Sequence, residues 1–297
     1  MAVVPRRLVV SGDDFGAARE VNAAIVRAHR SGILTSTSLM VTGEAAAEAV
    51  ALAKEHPRLA VGLHLVLAQG RASAPAAQIP HLVSGGGAFR EQPILAGLRY
   101  AWEYVARSGR IELRREIEAQ LAAFASTGLS LAHLDGHLNM HLHPMVLPIL
   151  LDLAPRYGIR AVRLSREDLG AALRYDSRHL ARKLFEGVVF RILAARAGPR
   201  LMAAGIVTAD RVYGMHQTGH VDERYLLDLI GALPAGVSEI YCHPAEKAPA
   251  VLAAYQPGYD HAGELAALTS ARVRAAVESG NVRLVSYVEL AAAPDGT

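Results

Sequence analysis

The run Leu8-Val9-Val10-Ser11-Gly12-Asp13-Asp14-Phe15-Gly16 decides the reading of the fold. A short apolar stretch of strand length stops at a glycine and two carboxylates. Ala17–Ser31 then carries apolar residues at helical spacing up to Gly32,. The pattern recurs along the chain. Ser38–Thr42 and Leu59–Leu67 read as strands, with a helix at Glu44–Lys54 between them. Ile111–Ser126 reads as a charged amphipathic helix, Leu131–Asp135 as a strand, Val146–Tyr157 as a helix and Arg160–Leu164 as a strand. Glu239–His243 and Val282–Tyr287 read as later strands. Strands separated by helices of this length predict βαβ units and a parallel sheet. Polar residues gather at the C-terminal ends of the strand runs, where closed (β/α) barrels and open doubly wound sheets both build their sites. Alternation alone leaves those two architectures open.

Bulk properties narrow the class. The 297 residues are 52 % hydrophobic, enough for a sizeable core,. Net charge is +3 and is spread along the chain, with no dense Lys/Arg tract, which argues against a nucleic-acid partner,. Cys242 is the only cysteine, so neither an intramolecular disulfide nor a cysteine-rich zinc site is available, as suits a reducing cytosol,. The first apolar run is too short for a signal-peptide core, and none approaches the roughly 18–20 residues of a spanning helix.

Two segments interrupt the rhythm. Ala68–Gly87 is rich in Gly, Pro, Ala and Ser and predicts a long loop or lid extending to about residue 90,. A helical insertion is expected near 174–210, where Arg182, Lys183, Arg191, Arg196 and Arg200 are interleaved with Leu184, Phe185, Val188, Phe190, Ile192 and Leu193. That basic amphipathic pattern suits a helix packed on the fold, and it also suits one lying on a membrane surface.

The residues that carry chemistry cluster. Asp13-Asp14 close a strand and open a helix, a position that suits either a metal ligand or a helix cap. His64 sits among the apolar residues of Gly62-Leu63-His64-Leu65. The densest signal is His133-Leu134-Asp135-Gly136-His137-Leu138-Asn139-Met140-His141-Leu142-His143, which holds four of the chain's thirteen histidines. His133, Asp135 and His137 alternate and would share one face of a strand. A core has no need of so many imidazoles, each of which requires partners when buried. Aspartate with two histidines is a common set for a hydrolytic metal, compatible with zinc, nickel, iron or cobalt and, through the carboxylate, with magnesium or manganese. Arg163 and His243 end two other strands: Arg163 could reach a substrate or a catalytic carboxylate, and His243 could protonate a leaving amine as a general acid,. The Gly-x-Ser-x-Gly elbow of serine hydrolases, the phosphate-binding Gly-x-x-x-x-Gly-Lys loop and the dinucleotide fingerprint are all absent from the sequence,.

Taken together, Asp13-Asp14-Phe15-Gly16, Gly32-Ile33-Leu34-Thr35-Ser36-Thr37-Ser38, Gly62-Leu63-His64-Leu65, His133-Leu134-Asp135-Gly136-His137 and Cys242-His243-Pro244 resemble the YdjC-like carbohydrate deacetylases, which include the chito-oligosaccharide deacetylases. The likeness spans most of the chain. Within the family, Ala161–Glu167 and Arg211–His220 look like the hopanoid-biosynthesis-associated branch. The resemblance implies a single-domain, distorted (β/α) TIM-like barrel over residues 1–297, with one divalent metal ion, magnesium or zinc first among the expected ions. It places the metal on Asp14, His64 and His137, with Asp13 as the alternative aspartate. The other carboxylate of the pair would be the general base. Arg163 would steady the oxyanion and His243 would protonate the leaving amine. Asp135, His133 and His141 are expected to contact substrate. One departure is Leu138-Asn139-Met140, where many members carry further histidines. The implied reaction removes acetate from an N-acetylglucosamine-containing substrate, in the closest branch an N-acetylglucosaminyl hopanoid. The implied setting is a cytoplasmic protein, a homodimer, working at the inner membrane face when its substrate is a glycolipid. A chito-oligosaccharide substrate, another metallohydrolase such as a phosphoesterase, and a non-catalytic sugar-binding protein are the alternatives.

Overall fold

A computed structural model of the chain describes residues 5–89, 107–176 and 178–292. Its centre is β1 (Arg6–Phe15), whose last eight residues are all buried. β1 pairs in parallel with β2 (Ser36–Leu39), β6 (Gly236–Cys242) and β7 (Val282–Leu284). Beyond β2 lie β3 (Ala60–Leu65) and β4 (Leu134–Gly136), and beyond β6 lies β5 (Arg211–Tyr213), giving the order β4-β3-β2-β1-β6-β5.

Helices cover the outer face. α1 (Arg19–Ser31) buries Val21, Ala24, Ile25 and Ala28, the i, i+3, i+4, i+7 stripe that a packed amphipathic helix needs,. α2 (Ala46–Glu55), α3 (Arg107–Ser126) and α4 (Leu147–Tyr157) continue the layer. α5 (Leu169–Tyr175) and α6 (Leu180–Ala203) occupy the segment expected to be helical, of which residue 177 lies outside the described residues. α7 (Glu223–Ala232), α8 (His261–Thr269), α9 (Ala271–Ser279) and α10 (Tyr287–Ala292) complete the described helices.

The sheet is curled. Leu134 N–H donates to Ala161 O and Arg163 N–H to Leu134 O, while Val162 N–H donates to Val207 O and Val212 N–H to Arg166 O. Residues 160–166 therefore run between β4 at one end of the sheet and the approach to β5 at the other. Alternation sorts the two faces. Leu8 and Val10 pack into the large outer core beneath the helices, whereas Val9 joins a smaller inner cluster with Ala161, Val212, Tyr241, Val285 and Tyr287. Ser11 and Asp13 continue the Val9 face, so the interior of the curl turns polar toward the C-terminal ends of the strands.

Two expectations are corrected. Arg160–Leu164, expected as a strand, forms only isolated bridges, Leu134↔Val162 and Ala161↔Val207. The strand expected over Val282–Tyr287 ends at Leu284, because Tyr287 starts α10. In the expected lid, short antiparallel bridges Arg71↔Ala88 and Val83↔Phe89 fold residues 71–89 back on themselves, and residue 90 lies outside the described residues.

Candidate metal centre

Parallel register assembles the site. His64 on β3 pairs with Asp135 on β4, which sets their side chains together on the inner face,. His64 Nδ1–H donates to Asp135 Oδ1 at 2.8 Å, and Ser38 Oγ lies 3.0 Å from the same nitrogen. That bond turns His64 Nε2 toward the end of β1, where it lies 3.3 Å from Asp14 Oδ1. His137, just past β4, brings its Nδ1 to 3.3 Å from the same oxygen. Gly62 makes room for this packing: a Cβ there would come within 2.5 Å of the His133 ring.

The backbone carries strain where these groups converge. Asp14 has φ 64°, and Leu138 and Asn139, immediately after His137, both have φ 56°. Left-handed conformations in non-glycine residues cost of order 1–3 kcal/mol and concentrate at functional sites. At Asp14 the turn aims the carboxylate across the strand ends, and Gln256 Nε2 holds its Oδ2 at 2.6 Å.

Asp14, His64 and His137 fit a metal ion. Their candidate ligand atoms lie within 4.8 Å of one another, and all three residues are buried. Of the converging atoms, Asp14 Oδ1 and His64 Nε2 are buried without a hydrogen-bond partner among the described residues, and His137 turns Nδ1 toward them. Two ligand atoms about 2.0–2.1 Å from a shared ion, at tetrahedral or octahedral angles, stand about 2.8–3.4 Å apart. The 3.3 Å separations of Asp14 Oδ1 from both imidazoles match that spacing. Electrostatics agree with a cation between them. Burial alone would raise the Asp14 carboxyl, yet contacts with His137 and His64 hold it well below the usual range. Burial would lower the His64 imidazole, but Asp135 and Asp14 lift it to about 10. A second set, Asp13, His64 and Asp135, also converges, but both of its carboxylates face Arg163.

Arg163 is 1 % exposed and lies among acids. Its Nη1 and Nη2 donate to the two oxygens of Asp13 at 2.7 and 2.8 Å, and its Nε donates to Glu239 at 2.9 Å. Nη1 also lies 2.8 Å from Asp135 Oδ2, and the guanidinium stands 4.4 Å over the Tyr241 ring. Glu239 accepts further bonds from Ser11 Oγ and Tyr287 O–H. Burial lowers the Arg163 pKa, but Asp13, Asp135 and Glu239 more than offset it and hold the group charged.

The other expected residues fall around this core. His243 follows β6 and is half-buried between the rings of Tyr241 and Tyr259, at 5.9 and 5.4 Å. Burial lowers its imidazole pKa. His133 and His141 are wholly buried. The His133 ring stacks on Tyr287 at 4.4 Å, and His141 Nε2 donates to Arg163 O at 2.7 Å. Burial pushes the His141 imidazole down to about 4. Sequence reasoning passed over Gln256, Ser38, Glu239, Tyr241, Tyr259 and Tyr287. Only Glu239, a carboxylate within an apolar strand run, carried a signal that could have marked it.

A profile of the family described as YdjC-like protein matches residues 7–279. The chain is 34 % identical over 291 residues to a carbohydrate deacetylase of Geobacillus stearothermophilus, covering 96 % of this chain and 98 % of that protein. It is 29 % identical over 298 residues to a chitooligosaccharide deacetylase of Salmonella schwarzengrund, covering 96 % and 99 % of the two chains. A crystal structure from Enterococcus faecalis V583, of a protein named for cellobiose-phosphate cleavage, superposes with a TM-score of 0.71 at 27 % identity, covering 96 % and 99 % of the two chains. On this full-length likeness, the chain belongs to the YdjC-like protein family.

Proposed function

We propose that this protein is a carbohydrate N-deacetylase that hydrolyses the acetamide of an N-acetylated amino sugar with the help of one divalent metal ion. The observation that carries the reading is the convergence of His64 Nε2 and His137 Nδ1 on Asp14 Oδ1, each at 3.3 Å and all three residues buried, beside Asp13 and His243 at the strand ends. Full-length relatives named carbohydrate and chitooligosaccharide deacetylase support the substrate class.

A bound divalent ion would supply Lewis acidity toward the acetamide carbonyl and the attacking water. Asp13 takes the proton that leaves the water as its oxygen bonds to the carbonyl carbon. The C–N bond then breaks, and the departing nitrogen collects a proton from His243, leaving acetate and a free amine. Because burial favours neutral His243, its imidazole must first receive a proton, and in this reading that is the one Asp13 abstracts from water. Asp135 holds His64 in the tautomer that exposes Nε2,. Arg163 reaches a carboxylate, one of the two placements expected for it. Its donors are turned to Asp13, Glu239 and Asp135, so its role in this reading is to fix the Asp13 carboxylate rather than to bind an oxyanion. Asp135, His133 and His141 are likewise packed behind the ligands, as positioning groups rather than sugar contacts.

The finer reading of the substrate is a glycolipid, an N-acetylglucosaminyl hopanoid, met at the inner membrane face. Its support is α6, where Leu180, Leu184, Phe185, Val188 and Ile192 stand exposed beside Arg182, Arg191 and Arg196,. No helix among the described residues is long and apolar enough to cross a membrane. The test is acetate release by metal-reconstituted protein from N-acetylglucosaminyl hopanoid and di-N-acetylchitobiose, each with and without chelator. Chelator-sensitive release from the lipid and co-sedimentation with anionic vesicles are expected. Release from chitobiose alone removes the glycolipid and keeps the chemistry. Silence on both, with turnover of a phosphate ester, replaces the reading with a phosphoesterase.

A further inference from the structure

The loop between β5 and α7 holds buried polar groups that the chemistry above does not use. His216 is 2 % exposed and Gln217 3 % exposed. Neither ring nitrogen of His216 and neither amide atom of Gln217 has a hydrogen-bond partner among the described residues. Buried polar atoms are nearly always paired, and each unpaired one costs about 1–3 kcal/mol. Four such atoms on two neighbouring residues are a large local debt for a fold to carry without a ligand. The loop backbone, by contrast, is well tied: His216 N–H donates to Glu167 at 2.9 Å and His220 N–H to Gln217 O at 2.8 Å. The main chain is anchored, and the side chains are left to bind something else.

The position of the loop indicates what that is. Thr218 Oγ1 lies 3.1 Å from the Tyr259 hydroxyl, and a Cβ on Gly219 would come within 2.3 Å of the Tyr259 ring. Tyr259 in turn faces His243 at 5.4 Å. The loop thus adjoins the reaction centre through Tyr259 and His243. On its other flank is α6, where Glu186 stands 3.9 Å from His216 Nδ1 and a Cβ on Gly187 would sit 3.8 Å from His216 Nε2. Burial, with Lys183 and Arg182 nearby, lowers the His216 imidazole to about 4. A neutral imidazole presents one donor and one acceptor, and the Gln217 amide presents donors and an acceptor. That set is poor for phosphate, which calls for cations, and suits the hydroxyls of a pyranose, each both donor and acceptor.

We propose that His216 and Gln217 form a sugar-hydroxyl subsite that selects the glycan beside the acetamide. The proposal rests on the deacetylase reading for the identity of the sugar. The variants His216→Phe and Gln217→Met keep side-chain bulk and remove the polar atoms, and His216→Gln restores a donor and an acceptor.

Kinetics on di-N-acetylchitobiose, bound-metal content and Tm are measured for each. The expected result is a KM raised about tenfold or more per apolar variant, equivalent to about 1.4 kcal/mol of lost binding, with kcat less affected. Metal content is expected to hold, Tm to stay level or rise because unpaired polar atoms have gone, and His216→Gln to recover part of KM. An unchanged KM overturns the subsite, as does a fall in Tm that accounts for the loss. Should the wild type release no acetate, the deacetylase reading fails separately. Calorimetric binding of di-N-acetylchitobiose then decides: weaker binding by the variants supports the subsite, and equal binding, or none by the wild type, overturns it.

Discussion

Asp13 and Asp14 are neighbours in the chain and equally buried, yet they belong to opposite regions. Asp13 faces a saturated network: Arg163 forks onto both its oxygens, and Glu239, Ser11 and Tyr287 close the circuit behind. Asp14 faces an unsaturated one: among the described residues, its Oδ1 and the His64 Nε2 beside it are buried without hydrogen bonds. A buried charge cluster is tolerable when internally paired, and removing one member then costs more than the pair ever contributed. An open cluster signals that a partner from outside the chain completes it. The network behind Asp13, formed by Arg163, Glu239, Ser11 and Tyr287, should therefore answer to substitution mainly through stability, and the unsaturated region mainly through metal binding and catalysis.

The sharpest way to break that contrast is His137→Ala. Metal binding and acetate release should disappear together, by about a thousandfold or more in rate, while Tm measured without metal changes little. Full activity in this variant would remove His137 from the centre. Next is Arg163→Met, which strands Asp13, Asp135 and Glu239 and should cost about 3–5 kcal/mol in chemical denaturation. A loss below about 1 kcal/mol would show that the network is not what holds the inner face together. Asp135→Asn touches both regions. It should weaken metal affinity about 10- to 100-fold, read by competition with a chelating dye. Tyr287→Phe removes only the hydrogen bond to Glu239 and should lower stability by about 1–2 kcal/mol with metal affinity intact,.

The smallest expected effect is on pH dependence. Glu264 is buried and accepts from the backbone of Val221 and His243. Burial outweighs those bonds and raises its carboxyl to about 8. Between its ordinary value near 4.5 and about 8 the folded state holds a proton that the unfolded state has lost, so this group makes stability fall as pH rises through that window. Glu264→Gln should flatten the slope of unfolding free energy against pH there, and an unaltered slope would show that Glu264 ionises normally in the fold.

Much of this was legible along the chain. The strand that stops at Gly12-Asp13-Asp14, the helix after it, and the alternation of His133, Asp135 and His137 are local patterns set by periods of 2 and 3.6. They survive because the sheet is parallel and each unit is built from contiguous residues. The likeness in Gly62-Leu63-His64-Leu65 pointed to His64, which its own apolar setting would have assigned to the core. The residues that escaped notice, Gln256, Glu239 and Tyr287, reach the site from distant parts of the chain. Gln256 meets Asp14 across 242 positions and Glu239 meets Ser11 across 228. No local period records such a meeting.

The two levels divide along that line. Sequence alone determined the α/β alternation, the parallel sheet and the cluster of aspartate and histidine at the strand ends, because residue type and spacing encode which side chains share a face. Only the tertiary structure decided that Arg163 pairs with Asp13, Glu239 and Asp135, that Asp135 bonds His64, and that Asp13 rather than Asp14 is the carboxylate Arg163 takes up. Those outcomes depend on register between strands and on the curl that brings residues 160–166 between the sheet's two ends. Both are set by packing among segments far apart in the chain, where one hydrogen bond gained or lost separates a paired carboxylate from a ligand in waiting.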